Sequence, residues 1–169
     1  MLATGGITDA NFTIKGFKSW ETDEGGGYQF TLYLDGRKFA WVHEDGNGEG
    51  ISITCFDHED SPHVPCLSTW DDTTTFHASP DYALLHEHIR AQPKLTEGGA
   101  VYTMTEDIWI GRLVDTYEFN KRLARAKKKG LTFRLLTDEP YEFRTIKTQD
   151  VPMATRQLDA KYPHNYQFV

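Results

Sequence analysis

Two cysteines and two histidines stand close together in the chain as Cys55, His58, His63 and Cys66, a C-x2-H-x4-H-x2-C arrangement. Zinc takes four thiolate or imidazole ligands in a tetrahedron, and a two-residue spacer lets each Cys/His pair grip one ion. The central link is short and is stiffened by Ser61-Pro62. Cys55 also continues an inward face shared with Ile51 and Ile53, where a buried thiol is common. The motif therefore has two readings, a structural zinc site or a plain loop with one buried thiol. A third variant, with three ligands and an open position for water, would make the zinc catalytic and the protein a metal-dependent hydrolase.

Cations form the second group. The run Lys121 to Lys129 ends in Lys127, Lys128 and Lys129, and its charges spread around a helix instead of lining one side. They gather at a helix C-terminus, where the macrodipole favours positive charge, and they are also candidates for contact with a phosphate or an acidic partner. Arg112, Arg134 and Arg144 are candidate donors for a small nucleotide signal held by aromatic stacking. Asp45-Gly-Asn-Gly-Glu-Gly50 resembles the first half of a calcium loop, but its twelfth position is Phe56, where a bidentate glutamate is needed. It is read as a glycine-rich turn, and Gly25 to Gly27 as a flexible loop. His86-Glu87-His88 lacks the i,i+4 histidine spacing of a metalloprotease helix. There is no nucleophile elbow, no Walker A motif and no carboxylate pair in a setting that would separate their pKa values, so an enzyme is disfavoured.

Positioning these residues falls to an antiparallel meander followed by helices. Strands are expected at Phe12 to Trp20, Tyr28 to Leu34, Arg37 to His43 and Ile51 to Phe56. Asp35-Gly36 joins the middle two as a type I′ turn, since both central positions need positive φ. Uninterrupted pairing from that turn sets Leu32 opposite Phe39 and Phe30 opposite Trp41. The inner face is then Tyr28, Phe30, Leu32, Leu34, Phe39 and Trp41. Ser79-Pro80 opens a helix that Pro93 closes, and Thr103 with Glu106 matches a capping box for a longer helix ending at Gly130. Its apolar stripe is Trp109, Ile110, Leu113, Val114, Tyr117 and Ala124. Leu131 to Leu136 and Glu142 to Lys147 form a closing strand pair, and Asp150 caps a last helix. The fold class is α+β, an antiparallel meander packed on one face by helices, with a C-terminal strand pair and helix. No linker or repeat divides residues 1–169, which read as a single domain.

Several motifs together resemble a known group: Gly16-Phe-Lys-Ser-Trp20, Glu24 to Tyr28, Leu32-Tyr-Leu-Asp-Gly-Arg-Lys38, Asp45-Gly-Asn-Gly48, Thr132-Phe-Arg-Leu135 and Glu142-Phe-Arg-Thr145. This arrangement is similar to that of uncharacterised small proteins of tailed bacteriophages that lie outside the virion. The resemblance implies a setting, the host cytoplasm, and not a mechanism: small phage proteins outside the virion commonly act by binding host or defence components. The stretch from Cys55 to Cys66 has no counterpart in it.

Composition agrees with a folded binding protein. At 169 residues the chain is long enough for one core, and 38% hydrophobic with 25% charged residues excludes a disordered polymer. No apolar run approaches a membrane span, and the first residues lack the features of an export signal, so a cytoplasmic location without membrane contact is expected. Residues 1–100 carry 16 acidic and 6 basic side chains, and the whole chain is at −7, which argues against general nucleic-acid binding. Aromatics exceed what one sheet face needs: Trp20, Tyr33, Trp70, Tyr102, Phe119, Tyr141, Tyr162, Tyr166 and Phe168 are not all placed in this core. Exposed aromatics are what interface hot spots are made of, so the expected function is a non-enzymatic accessory protein that binds a host or defence factor, with inhibition of that factor as one outcome. The alternatives are sequestration of a small nucleotide and metal-dependent hydrolysis at the Cys/His loop.

Overall fold

The computed structural model describes residues 8–48, 50–56, 66–67, 80–97, 99–148 and 150–169. It is α+β, as the sequence indicates, and divides into two compact units, Met1–Gly111 and Arg112–Val169.

The first unit is built on an antiparallel meander of β1 (Phe12–Glu21), β2 (Gly26–Leu34), β3 (Arg37–Glu44) and β4 (Ser52–Cys55), extended by the two-residue β5 (Cys66–Leu67). Asp35 and Gly36 turn β2 into β3 with φ of 50° and 80°, the type I′ geometry expected of that dipeptide. From the turn, Leu34 pairs with Arg37 and Tyr33 with Lys38. Then a bulge intervenes, and Leu32 pairs with Ala40, Thr31 with Trp41 and Phe30 with Val42. Phe39 is the extra residue. It and Ala40 are both fully buried, and every side chain beyond them is reversed relative to uninterrupted pairing. The expected inner-face position of Trp41 is thereby corrected: Val42 is at 0% exposure and Trp41 at 36%. A second bulge breaks β1 between Lys15 and Lys18, where Gly16 takes φ of +68°.

Phe12, Phe30, Leu32, Leu34, Phe39, Val42 and Ile53 form the buried face of the sheet. The helix α1 (Pro80–Arg90) contributes buried Leu85 and Ile89 to this unit. Helix α2 (Glu106–Lys127) begins in it, with Trp109 and Ile110 buried. The Phe12 ring meets Phe39 edge-on at 5.7 Å and Trp109 edge-on at 5.0 Å, the geometry preferred by ring quadrupoles. Thr105, and not Thr103, stands at the start of α2, its hydroxyl accepting a hydrogen bond from the Ile108 N–H. Between the helices lies a hairpin absent from the sequence reading, β6 (Leu95–Glu97) and β7 (Ala100–Tyr102), with Val101 and Tyr102 exposed.

In the second unit, β8 (Leu131–Leu135) pairs antiparallel with β9 (Arg144–Ile146), as the closing strand pair requires, and on its other side with β10 (Tyr166–Phe168), which the sequence did not reveal. Helix α3 (Val151–Lys161) is capped by Asp150, whose carboxylate accepts from the Met153 N–H at 2.9 Å. Leu158 packs with Phe133 and Leu135 in a core flanked by Leu131, Ile146, Tyr162 and Tyr166. The portion of α2 in this unit keeps Val114 buried but leaves Ala124 exposed, so the expected stripe ends short of it.

Candidate functional site

The two bulges decide what the outer face of the first sheet carries. Before the β1 bulge, Thr13 and Lys15 lie on it; after the bulge, Lys18 and Trp20 do. Across the strands this gives the rows Thr13, Tyr33, Lys38; then Lys15, Thr31, Trp41, Thr54; then Lys18, Gln29, His43, Ser52; and finally Trp20 beside Gly27. Without the Phe39 bulge, Trp41 and His43 would point into the core and Ala40 and Val42 would replace them here.

Three of these rings form a continuous stack. Trp20 is tilted against His43 with centroids 5.6 Å apart, and His43 lies nearly parallel to Trp41, at 5.1 Å and 9°. Gly27 makes the first of these positions, because a Cβ there would run into the Trp20 indole and come within 2.7 Å of the Asp45 carbonyl. The glycine run expected to serve as a flexible loop is thus a seat for a ring. The Trp20 indole N–H donates to the Asp45 carbonyl at 3.1 Å and fixes that end of the stack. Thr22 closes the adjoining turn, its hydroxyl accepting from the Gly25 N–H at 3.1 Å. Asp45 accepts from the Asn47 N–H, so the calcium-like stretch is a turn held by its own side chain, with positive φ at Gly46 and Gly48. The Nδ1 atom of His43 is buried without a hydrogen-bond partner.

The face is also charged in one sense. Its strand positions include Lys15, Lys18 and Lys38 and no aspartate or glutamate, although the chain as a whole is at −7. The Lys15 ammonium sits 4.2 Å from the centroid of Tyr33, which leaves the cation at the surface and orients the ring. Among the described residues the turns at the Trp20 end carry Asp23, Glu24 and Asp45, and the hairpin turn at the other end carries Asp35, whose carboxylate accepts from the Asn11 amide at 2.7 Å. A surface of this kind can bind by stacking and charge.

A second polar cluster lies inside the first unit. Asp9 Oδ1 receives the Trp109 indole N–H at 2.9 Å and the Gln92 amide at 3.2 Å, and it lies 2.8 Å from His88 Nε2. His88 is almost fully buried against Phe12 and Trp109. These contacts join the segment before β1 to both helices, which is a structural task. His86 is held by Glu106 at 2.7 Å.

The residues selected from sequence fall in both units. Of the Cys/His motif, Cys55 is half-buried at the end of β4, and Cys66 pairs through its backbone with Ile53; His58 and His63 lie outside the described residues. Among the described residues no group of three or more His, Cys, Asp or Glu is arranged to hold a metal. Lys127, Lys128 and Lys129 are exposed at the end of α2, and Arg112 is exposed on the same helix. Arg144 pairs with Phe133 across the β8–β9 ladder, so Arg134 falls on the opposite face of that sheet. Arg144 is held by Asp138, at 2.7 Å and 3.3 Å, and Arg134 Nε is buried without a partner. Hydrogen bonds from Arg144 and from the Leu135 N–H hold the Asp138 carboxyl below the usual carboxylate range. Arg134 and Arg144 therefore lie on opposite faces of that sheet.

Of the surplus aromatics, Phe119 packs on Tyr141 and Phe143, and Tyr162 and Tyr166 pack on Phe133, while Trp70 lies outside the described residues. Tyr102 and Phe168 stay about half exposed. The stacked face was missed because it depends on a one-residue bulge at Phe39 that no glycine or proline announces. Among the described residues no helix is long and apolar enough to cross a membrane. Comparison with protein-family models, with curated proteins and with solved structures gives no match.

Proposed function

We propose that this chain is a non-enzymatic accessory protein of the bacteriophage type, which binds a host or defence protein and inhibits it by occupying it. The observation that carries this reading is the Trp41–His43–Trp20 stack on the outer face of β1 to β3, with Trp41 exposed at its open end. Tryptophan and tyrosine dominate interface hot spots because they exclude a large apolar area at little rotamer cost, and a pre-stacked ring gives up still less freedom on binding. A sheet face of this breadth matches the flat surface of a protein better than a compact ligand, which calls for a concave site.

Site-specific photocrosslinking tests the reading. A benzophenone side chain placed at Thr31, beside Trp41, is expected to capture one host protein from a lysate. Capture should be lost when Trp41→Ala is added and when untagged protein competes. The same group at Lys127 serves as the comparison. Capture from Lys127 alone, or capture from Thr31 that ignores Trp41→Ala, would overturn the assignment of the face.

A further inference from the structure

The charge and the row order of this face define the chemistry of what lies on it. We infer, resting on the protein-binding reading above, that the outer face of β1 to β3 receives an extended acidic segment of the partner protein. The segment would place carboxylates toward Lys15, Lys18 and Lys38 and an apolar side chain over Trp41. Three lysines and no carboxylate occupy the strand positions of this face in a chain whose net charge is −7, and the surrounding first hundred residues hold 16 acids. A basic patch that survives in so acidic a setting gives a local attraction for anionic groups and a repulsion at its margin.

That margin selects among anions. The rows nearest the hairpin turn carry Lys15 and Lys38 beside a single acid, Asp35, which accepts from the Asn11 amide, whereas the Trp20 end closes on Asp23, Glu24 and Asp45. A nucleic-acid strand carries a phosphate at every step and would bring charge onto those carboxylates. A peptide can confine its acids to alternate positions and end in neutral residues there. Alternation suits the sheet as well, because an extended chain presents every second side chain to one surface, as strand geometry requires.

Fluorescence anisotropy with defined probes tests the inference. A labelled synthetic peptide alternating glutamate with leucine should bind the intact protein, and the same peptide with glutamine for glutamate should bind at least about tenfold more weakly. Lys18→Gln combined with Lys38→Gln, both exposed positions, should bring the two peptides together. Trp41→Ala should weaken both, and circular dichroism melting would show that each variant stays folded. Equal binding of the two peptides, or binding of neither, would overturn the inference. Tighter binding of oligothymidine than of the acidic peptide would assign the face to single-stranded nucleic acid instead. If crosslinking from Thr31 captures a protein through a segment without acids, the protein-binding reading stands and the charge assignment fails.

Discussion

Exchanging the effects of two adjacent residues would test the bulge on which the site depends. Val42 is fully buried opposite Phe30, whereas Trp41 lies on the outer face and is 36% exposed. Val42→Ala removes two methyl groups from a site packed on all sides. At about 0.8 kcal/mol per buried carbon, with a further cost for the cavity, the expected loss is roughly 2 to 3 kcal/mol. Trp41→Ala opens no cavity in the core. It forfeits one stacking contact with His43, worth about 0.5 to 1.5 kcal/mol, and the covering of neighbouring strand residues, so about 1 to 1.5 kcal/mol is expected. Uninterrupted pairing from the Asp35-Gly36 turn demands the reverse order, with roughly 3 to 5 kcal/mol for a buried tryptophan and under about 0.5 kcal/mol for an exposed valine. Urea unfolding of the parent and both variants, compared at equal slope, reads the order directly. A Trp41→Ala variant less stable than Val42→Ala by more than about 1 kcal/mol would refute the bulge, and with it the ring stack.

Gly27→Ala should lower stability by about 1 to 3 kcal/mol through overpacking against the Trp20 indole, and a shift of Trp20 fluorescence would show that ring displaced; an unchanged spectrum and melt would mean the seat is not tight. Gly36→Val should cost more than about 1 kcal/mol because φ of +80° is strained for a β-branched residue, and a melting temperature within a degree of the parent would contradict this. The Asp138 carboxyl titrates below its usual value, so its contribution is present above the ordinary carboxylate range and disappears as pH falls through the lowered one. Asp138→Asn should therefore lower the melting temperature at neutral pH and flatten its acid dependence, whereas parallel curves for the two proteins would exclude the Arg144 pair as the cause. Its hydrogen bond to Asp159 raises the Tyr166 hydroxyl, whose contribution is complete below the ordinary tyrosine value and is lost as pH rises through the raised one. Tyr166→Phe should remove that part of the alkaline destabilisation, as read by melting above about pH 10.

Local signals in the sequence were enough for the α+β class, the meander and its type I′ turn, the cap at Asp150 and the helix that Pro93 closes. Each of these rests on chemistry between residues near one another: positive φ at Gly36, a carboxylate three residues from its N–H partner, a ring that cannot continue a helix. Strands as short as β6, β7 and β10 gave no such signal, because three residues carry too little periodicity to be distinguished from a loop. The site depended on the tertiary structure for a different reason. Side-chain direction along a strand has a period of two, so one extra residue at Phe39 reverses everything after it, and that residue was accommodated by packing against Phe12. Which face Trp41 and His43 occupy, why Gly27 has no side chain, and how Lys15, Lys18 and Lys38 come to share one face of the sheet are all consequences of cross-strand register. Register is settled by the burial of the whole sheet, which no local stretch of the chain encodes.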